Sequence, residues 1–349
     1  MQDLKYLSAY LVPISAFIGI ALGGLFMYLT VGFVFGLIPL LEVLSLHDTS
    51  NLDDESKKRK AGNNWFTFLL YLNIPIVYGV LIYALFTVTQ NNLQIYEFIG
   101  LFLTTGIVLG SNGINVAHEL GHRHKTSEKT MAKILLLPSF YMHFFIEHNF
   151  GHHLNAATPE DPATARYNQS LYSFWITSVF RQYFSAWKIQ LNLLRQEKIS
   201  FFNIKNDMLW YVLFQSSYLL IIFFVFGDDG GLLALLAGIT GFLLLETINY
   251  IEHYGLLRLK RPSGRYERVS EIHSWNSNHL FGRIMLYELT RHSDHHYRSS
   301  KEYQLLDYHD ISPQLPYGYP TSMVLAALPP LWFSIINKHI PKQMIPVKK

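Results

Sequence analysis

Six stretches of this chain are nearly free of charge. Residues 8–27, 30–46, 65–88, 94–113, 208–226 and 231–249 run apolar, interrupted by single acids at Glu42, Glu97 and Glu246. Each approaches the ~20 residues that carry a helix across a hydrocarbon core. The pattern therefore predicts six transmembrane helices. A seventh stretch, 131–146, is shorter, contains Lys133 and His143, and runs into Glu147 and His148. It predicts a half-buried or interfacial helix. The run 322–336 is broken by Pro329 and Pro330, and it predicts an element docked on the membrane surface.

Composition agrees. Half of the 349 residues are hydrophobic, 15% are aromatic and only 15% are charged, against roughly 25% charged in an average soluble domain. The cations give the orientation. One precedes the first stretch, four lie at 57–60, ten between 114 and 207, and thirteen after 250, which accounts for all 28 Lys and Arg. The loops at 28–29, 89–93 and 227–230 hold none. The positive-inside rule then assigns both termini and every basic loop to the cytoplasm. The formal charge of +3 reflects that topology, and no motif or concentrated basic patch indicates nucleic acid. The first run lacks a small-residue cleavage site and is expected to be an anchor, not a signal peptide. The expectation is an all-α integral membrane protein, one domain over 1–349. Six transmembrane helices would carry a cytoplasmic histidine-rich helical cap built from 114–207 and 250–349.

Three clusters hold eight of the sixteen histidines: His118 and His122 in HELGH, His148, His152 and His153 in EHNFGHH, and His292, His295 and His296 in RHSDHH. His118 and His122, four apart, share a helix face and suit chelation of one ion. His148 and His152 repeat that spacing, and His153 lies about 100° round the helix, where it addresses a second ion. His292 and His295 are three apart with His296 beside them. Imidazole suits iron, zinc, copper and nickel. Eight imidazoles exceed the needs of one ion with open positions, so the count points to two metals. HELGH alone also reads as a zinc metalloprotease signature with Glu119 as base, but a zinc peptidase needs about three protein ligands.

Acids adjoin the clusters at Glu119, Glu147, Glu252 and Asp294. A ligating histidine usually donates its other N–H to a carboxylate or carbonyl, and these acids are candidates for that task. His143, His273 and His279 are candidates for packing or hydrogen bonding around the site, while His47, His309 and His339 read as surface. ATPEDPATAR (157–166) predicts a fixed loop after the second cluster, and LPYGYP (315–320) a second turn-rich stretch. The absence of cysteine excludes a cysteine-ligated iron–sulfur centre and a disulfide. No phosphate loop or dinucleotide fingerprint stands out.

FFIEHNFGHH, ATPEDPATAR, NYIEHYGLLR, HSWNSNH, LTRHSDHH and LPYGYP, in this order, resemble the bacterial alkane 1-monooxygenases of the integral-membrane di-iron hydroxylase and desaturase superfamily. The likeness covers roughly 60–345 and, more loosely, the first two helices. It implies two non-haem iron ions held by nine histidines: His118, His122, His148, His152, His153, His253, His292, His295 and His296. Spacing alone does not single out His253, which otherwise reads as a polar residue ending a helix. The family typically has Gln where Thr290 stands and often a longer N-terminal extension. No rubredoxin domain is expected to follow IPVKK.

The resemblance implies O2-dependent terminal hydroxylation of linear alkanes to 1-alkanols in a bacterial inner membrane. Electrons would come from rubredoxin and its reductase, docking on basic residues such as Arg258, Lys260, Arg261 and Arg265. An alkane dissolved in the bilayer would enter between the helices. Val34, Phe35 and Ile38 share a face by spacing and are candidate channel residues. The competing readings are a xylene-type methyl hydroxylase, a fatty-acyl hydroxylase or desaturase, a membrane zinc metalloprotease using HELGH, and a metal transporter with ligands at mid-membrane.

Overall fold

The computed structural model describes residues 2–44 and 47–345. Ser45 and Leu46, the last two residues of the expected second span, lie outside the described residues. Among the described residues every regular element is helical, apart from isolated bridges such as Lys260 with Tyr266. Five helical segments are long and apolar enough to cross a membrane: Asp3–Leu22, Gly24–Leu44, Asn64–Gln90, Ile95–Gly121 and Asp207–His253. The last has 47 residues and one break, at Gly227, where φ is 67° and ψ is −169°. The break separates arms 207–226 and 228–253 and falls in the cation-free loop.

The first two segments meet elsewhere than the hydropathy pattern predicts. The corner is at Gly23 and Gly24, with φ of 69° and 56°, not at 28–29. Two consecutive left-handed residues cost little only when both are glycine. Residues 18–28 are uncharged on both sides of this corner, so hydropathy alone does not locate it.

Packing divides the chain into two compact units. The first comprises Met1–Leu37, Asn64–Ile146 and Ala186–Leu245. Its helices approach closely at small residues: Gly100 lies against Met27 and Tyr28, and Gly106 against Thr240. Such close approach characterises helix pairs in lipid. Glu97 caps its own helix by accepting from Gln94 N (2.8 Å) and also accepts from Gly24 N (2.9 Å), which explains an acid at the end of an apolar run. The stretch 131–146 is not one interfacial helix. The helix Thr126–Leu136 stops in a tight turn at Leu137–Ser139, where Pro138 lacks an N–H, and Phe140 is left-handed at φ 53°. Leu135, Tyr141, Phe144 and Ile146 are buried.

The second unit comprises Ile38–Asn63, Glu147–Ser185 and Glu246–Lys349. Its core joins Phe174, Tyr250, Tyr254, Trp275, Tyr319, Trp332 and Ile336. The 322–336 run therefore does more than rest on a surface. It forms two short helices, Tyr319–Ala326 and Pro329–Ile336, each with prolines in its first turn, where a missing N–H costs nothing. Each buries one face in this core and leaves Val324, Leu328 and Leu331 exposed.

Candidate metal centre

Seven of the predicted ligands belong to the second unit. His148 and His152 lie on a π-helical turn, His148–His152, and His153 opens the next short helix. In an α-helix, residues five apart point about 140° away from each other. The wider π-turn relieves that separation, and Nε2 of His148 comes within 3.0 Å of Nε2 of His153. Such turns recur at functional sites. The helix His292–Tyr297 presents His292, His295 and His296, and His253 ends the long Asp207–His253 helix.

His152, His253, His292 and His296 are all buried, and each offers one nitrogen within 4.8 Å of the others. Nε2 of His296 lies 3.1 Å from that of His152 and 2.9 Å from that of His292, which in turn lies 3.1 Å from Nε2 of His253. Donors about 2.1 Å from a common ion stand roughly 3.0 Å apart at right angles and 3.4 Å apart at tetrahedral angles. The observed spacings suit one ion held by these nitrogens. Burial, followed by the neighbouring His292, His153, His152 and His253, pushes His296 well below the ordinary histidine value. The neutral imidazole favoured there is the form that binds metal. His153 and His295 have ring centroids 5.0 Å apart, and His148 and His295 stack at 6.2 Å. His148, His153 and His295 thus form a second histidine group.

In the first unit His118 and His122 pair near the end of the Ile95–Gly121 helix, with ring centroids 5.0 Å apart. Glu119 accepts from Arg123 Nη2 at 2.7 Å, and both are buried. His143 is buried beside Tyr141, ring centroids 4.3 Å apart, and burial pushes it down to about 3. Val34 and Phe35 sit half-buried on the π-helical turn Phe33–Leu37, and Ile38 is buried just after it.

The acids divide by partner. Glu252 reaches the four-histidine set, its Oε2 3.2 Å from Nε2 of His292, while Oε1 accepts from Tyr319 OH at 2.8 Å. Glu147 is buried and accepts weakly from Ser185 Oγ at 3.4 Å. Burial, then the charges of Asp161 and Glu246, raise its carboxyl well above the ordinary value. Asp294 accepts from Lys301 Nζ (2.6 Å), Asp307 N (2.8 Å) and His309 Nε2 (2.8 Å). It ties down the 301–309 segment. His273 bonds to Glu267 (3.2 Å) and Ser270 N (3.0 Å). His279 faces His47, Nε2 to Nε2 at 3.0 Å, and contacts Ser277 Oγ at 2.9 Å. Burial, then His47, pushes His279 down to about 4.

One residue escaped sequence reasoning. Asp161, in the PEDP loop, accepts from Nδ1 of His152 at 2.9 Å, from Thr164 Oγ1 at 2.6 Å and from Ala163 N at 3.1 Å. Its side chain has no exposed surface. Burial works to raise its carboxyl, but contact with His152, then His253 and Thr164, holds it below the ordinary carboxylate value. The available signal was an acid in a rigid loop nine positions after His152, which spacing rules do not flag. The loop holds Asp161 in place: Gly255 N donates to Ala165 O (2.9 Å) and Arg258 N to Ala157 O (2.7 Å).

Residues 95–325 match the fatty acid desaturase family. Alkane 1-monooxygenase 1 of Pseudomonas aeruginosa is 37% identical over 88% of this chain and 81% of its own length. Alkane 1-monooxygenase 2 of Alcanivorax borkumensis is 36% identical over 95% of this chain and 87% of its own. The hydroxylase component of the xylene/toluene monooxygenase of Pseudomonas putida is more distant, 28% identical over 97% of this chain and 89% of its own.

Proposed function

The chain belongs to the fatty acid desaturase family, among its alkane 1-monooxygenases, and on that footing we propose that it hydroxylates linear alkanes at the terminal carbon. One oxygen atom of O2 enters the methyl group and the other leaves as water, with two electrons and two protons consumed. The observation that carries the reading is the convergence of four buried Nε2 atoms in the second unit. Nine histidines would serve two irons. His152, His253, His292 and His296 would hold one of them. Bound iron supplies the O2 activation that attack on an unactivated C–H bond requires.

The chain's own groups prepare the site. Asp161 accepts a hydrogen bond from the Nδ1–H of His152, which fixes the tautomer and leaves the Nε2 lone pair free for an ion. Burial of the imidazoles keeps water away and favours their neutral form. Val34, Phe35 and Ile38 are proposed to line the alkane's path. The break at Gly227 supports a count of six spans, and the uneven distribution of cations supports both termini lying in the cytoplasm; a bacterial inner membrane and one centre served by all of 1–349 are proposed with them. The electron donor is proposed to be rubredoxin, supplied by its reductase. Lys260, Arg261 and Arg265, exposed on one basic turn, suit an acidic carrier, while Arg258 is half-buried and donates to Glu267 O (2.8 Å) and Leu154 O (2.8 Å).

Purified protein assayed for metal and turned over with octane, hexadecane, xylene and a fatty acid tests the reading. Two irons per chain and O2- and rubredoxin-dependent formation of 1-alkanols support it. One zinc per chain with O2-independent activity overturns it, and a product from xylene or fatty acid alone moves the chain to a sister activity.

A further inference from the structure

We infer that a cavity at the start of the Asp207–His253 helix holds one phospholipid with a primary-amine headgroup, its phosphate on Lys133 and its ammonium on Asp207. The cavity measures about 560 Å³, within the roughly 300–1,000 Å³ usual for small-molecule sites. It lies wholly in the first unit. The helix Thr126–Leu136 and the chain just after it supply Ile134, Leu137 and Met142 to one wall, and the first turns of the Asp207–His253 helix supply Trp210 and Phe214 to the other.

The position favours lipid. The Asp207–His253 helix is long and apolar enough to cross a membrane, so its first turns stand where hydrocarbon meets headgroups. Trp and Tyr concentrate at that level, and Trp210 and Tyr211 occupy it. Ile134, Ile204, Trp210 and Phe214 are exposed around the mouth. An apolar rim of this kind is unfavourable against water and favourable against acyl chains.

The headgroup follows from an ion pair set in this apolar surround. Lys133 Nζ donates to Asp207 Oδ2 at 2.6 Å, and that oxygen also accepts from Tyr211 OH at 3.3 Å. Both charges still reach the surface, with side chains 26% and 34% exposed. An ammonium has further N–H groups to give, and the carboxylate keeps Oδ1. A cation beside an anion matches a zwitterion: phosphate oxygens accept from Lys133, and the lipid ammonium donates to Asp207. The indole face of Trp210 is a second partner for that ammonium, the indole N–H being engaged by Ile204 O at 3.0 Å. Phosphatidylglycerol brings no cation to Asp207. A choline headgroup has no N–H to donate.

The test uses the full chain in detergent, stripped of lipid and titrated by native mass spectrometry. The probes are palmitoyl-oleoyl phosphatidylethanolamine, phosphatidylcholine and phosphatidylglycerol. Wild type is expected to bind one phosphatidylethanolamine roughly fivefold more tightly than either other lipid, the scale of one partly exposed charge pair. Asp207→Asn is expected to erase that preference, and Lys133→Gln to weaken all three lipids by a similar factor. Fluorescence locates the site: phosphatidylethanolamine brominated in its acyl chains is expected to quench wild type more than Trp210→Phe. Equal affinities for the three lipids, or a preference for phosphatidylglycerol, overturns the proposal on wild-type protein alone, whether or not a variant folds. So does a preference that survives in Asp207→Asn, undiminished binding in Lys133→Gln, or equal quenching in Trp210→Phe. None of these readouts depends on bound iron or on turnover.

Discussion

Asp161→Asn replaces one atom in a buried cluster, and the hydrogen bonds around it determine the outcome. Asp161 receives three donors: His152 Nδ1 and Thr164 Oγ1 at Oδ2, and Ala163 N at Oδ1. An asparagine has one accepting oxygen and one donating amide, so either orientation sets a donor against a donor. If the amide takes the Oδ2 position, His152 escapes the conflict by moving its proton to Nε2. That removes the lone pair turned toward His296. If the amide takes the Oδ1 position, the Ala163 N–H, which cannot rearrange, is left unpaired at a cost of about 1–3 kcal/mol. The first outcome weakens the metal and the second weakens the fold. Loss of such a supporting partner costs roughly ten- to hundredfold in metal affinity, or about 1.4–2.8 kcal/mol. Chelator competition on iron-loaded protein and thermal unfolding of metal-free protein separate the two. Iron affinity within twofold of wild type together with an unchanged unfolding temperature would refute the reasoning.

Three further predictions concern other parts of the chain. His279, held down to about 4 against an ordinary value of 6.5, takes up protons less readily folded than unfolded between those values. Its contribution to stability is complete above pH 6.5 and lost as pH falls toward 4. His279→Gln should flatten the pH dependence of the unfolding temperature in that window, and an unaltered slope contradicts the assignment. Val34→Trp should shift the chain-length profile toward shorter alkanes, measured with a homologous series; an identical profile removes Val34 from the channel. Reversing Lys260, Arg261 and Arg265 to Glu should raise KM for an acidic electron carrier at least tenfold at low salt, on the order expected of charge steering. The gap should narrow at high salt, and a salt-independent KM would place docking elsewhere.

Much of this was legible along the chain. A helix buried in lipid must be apolar along its whole length, so hydropathy located the spans even where their ends moved, as at Gly23. Metal ligands on a helix follow its period, so the three clusters stood out. His253 was different: a lone histidine at a helix end carries no periodic signal, and only its resemblance to a known motif singled it out. Glu119 and Asp294 sat beside ligands in sequence, yet their carboxylates bond to Arg123 and to Lys301 and His309. Adjacency along a helix places successive side chains about 100° apart, so a neighbour in sequence often faces another way.

The sequence by itself determined what is local and periodic: apolar helices, the uneven distribution of cations along the chain, the three histidine clusters and the absence of thiol chemistry. Tertiary structure alone decided which groups bond to those histidines. Asp161 reaches His152 because a rigid turn folds back, and Tyr319 reaches Glu252 across 67 positions of chain. Hydrogen bonds between distant segments depend on where the backbone goes after many turns, and no short-range spacing encodes that path.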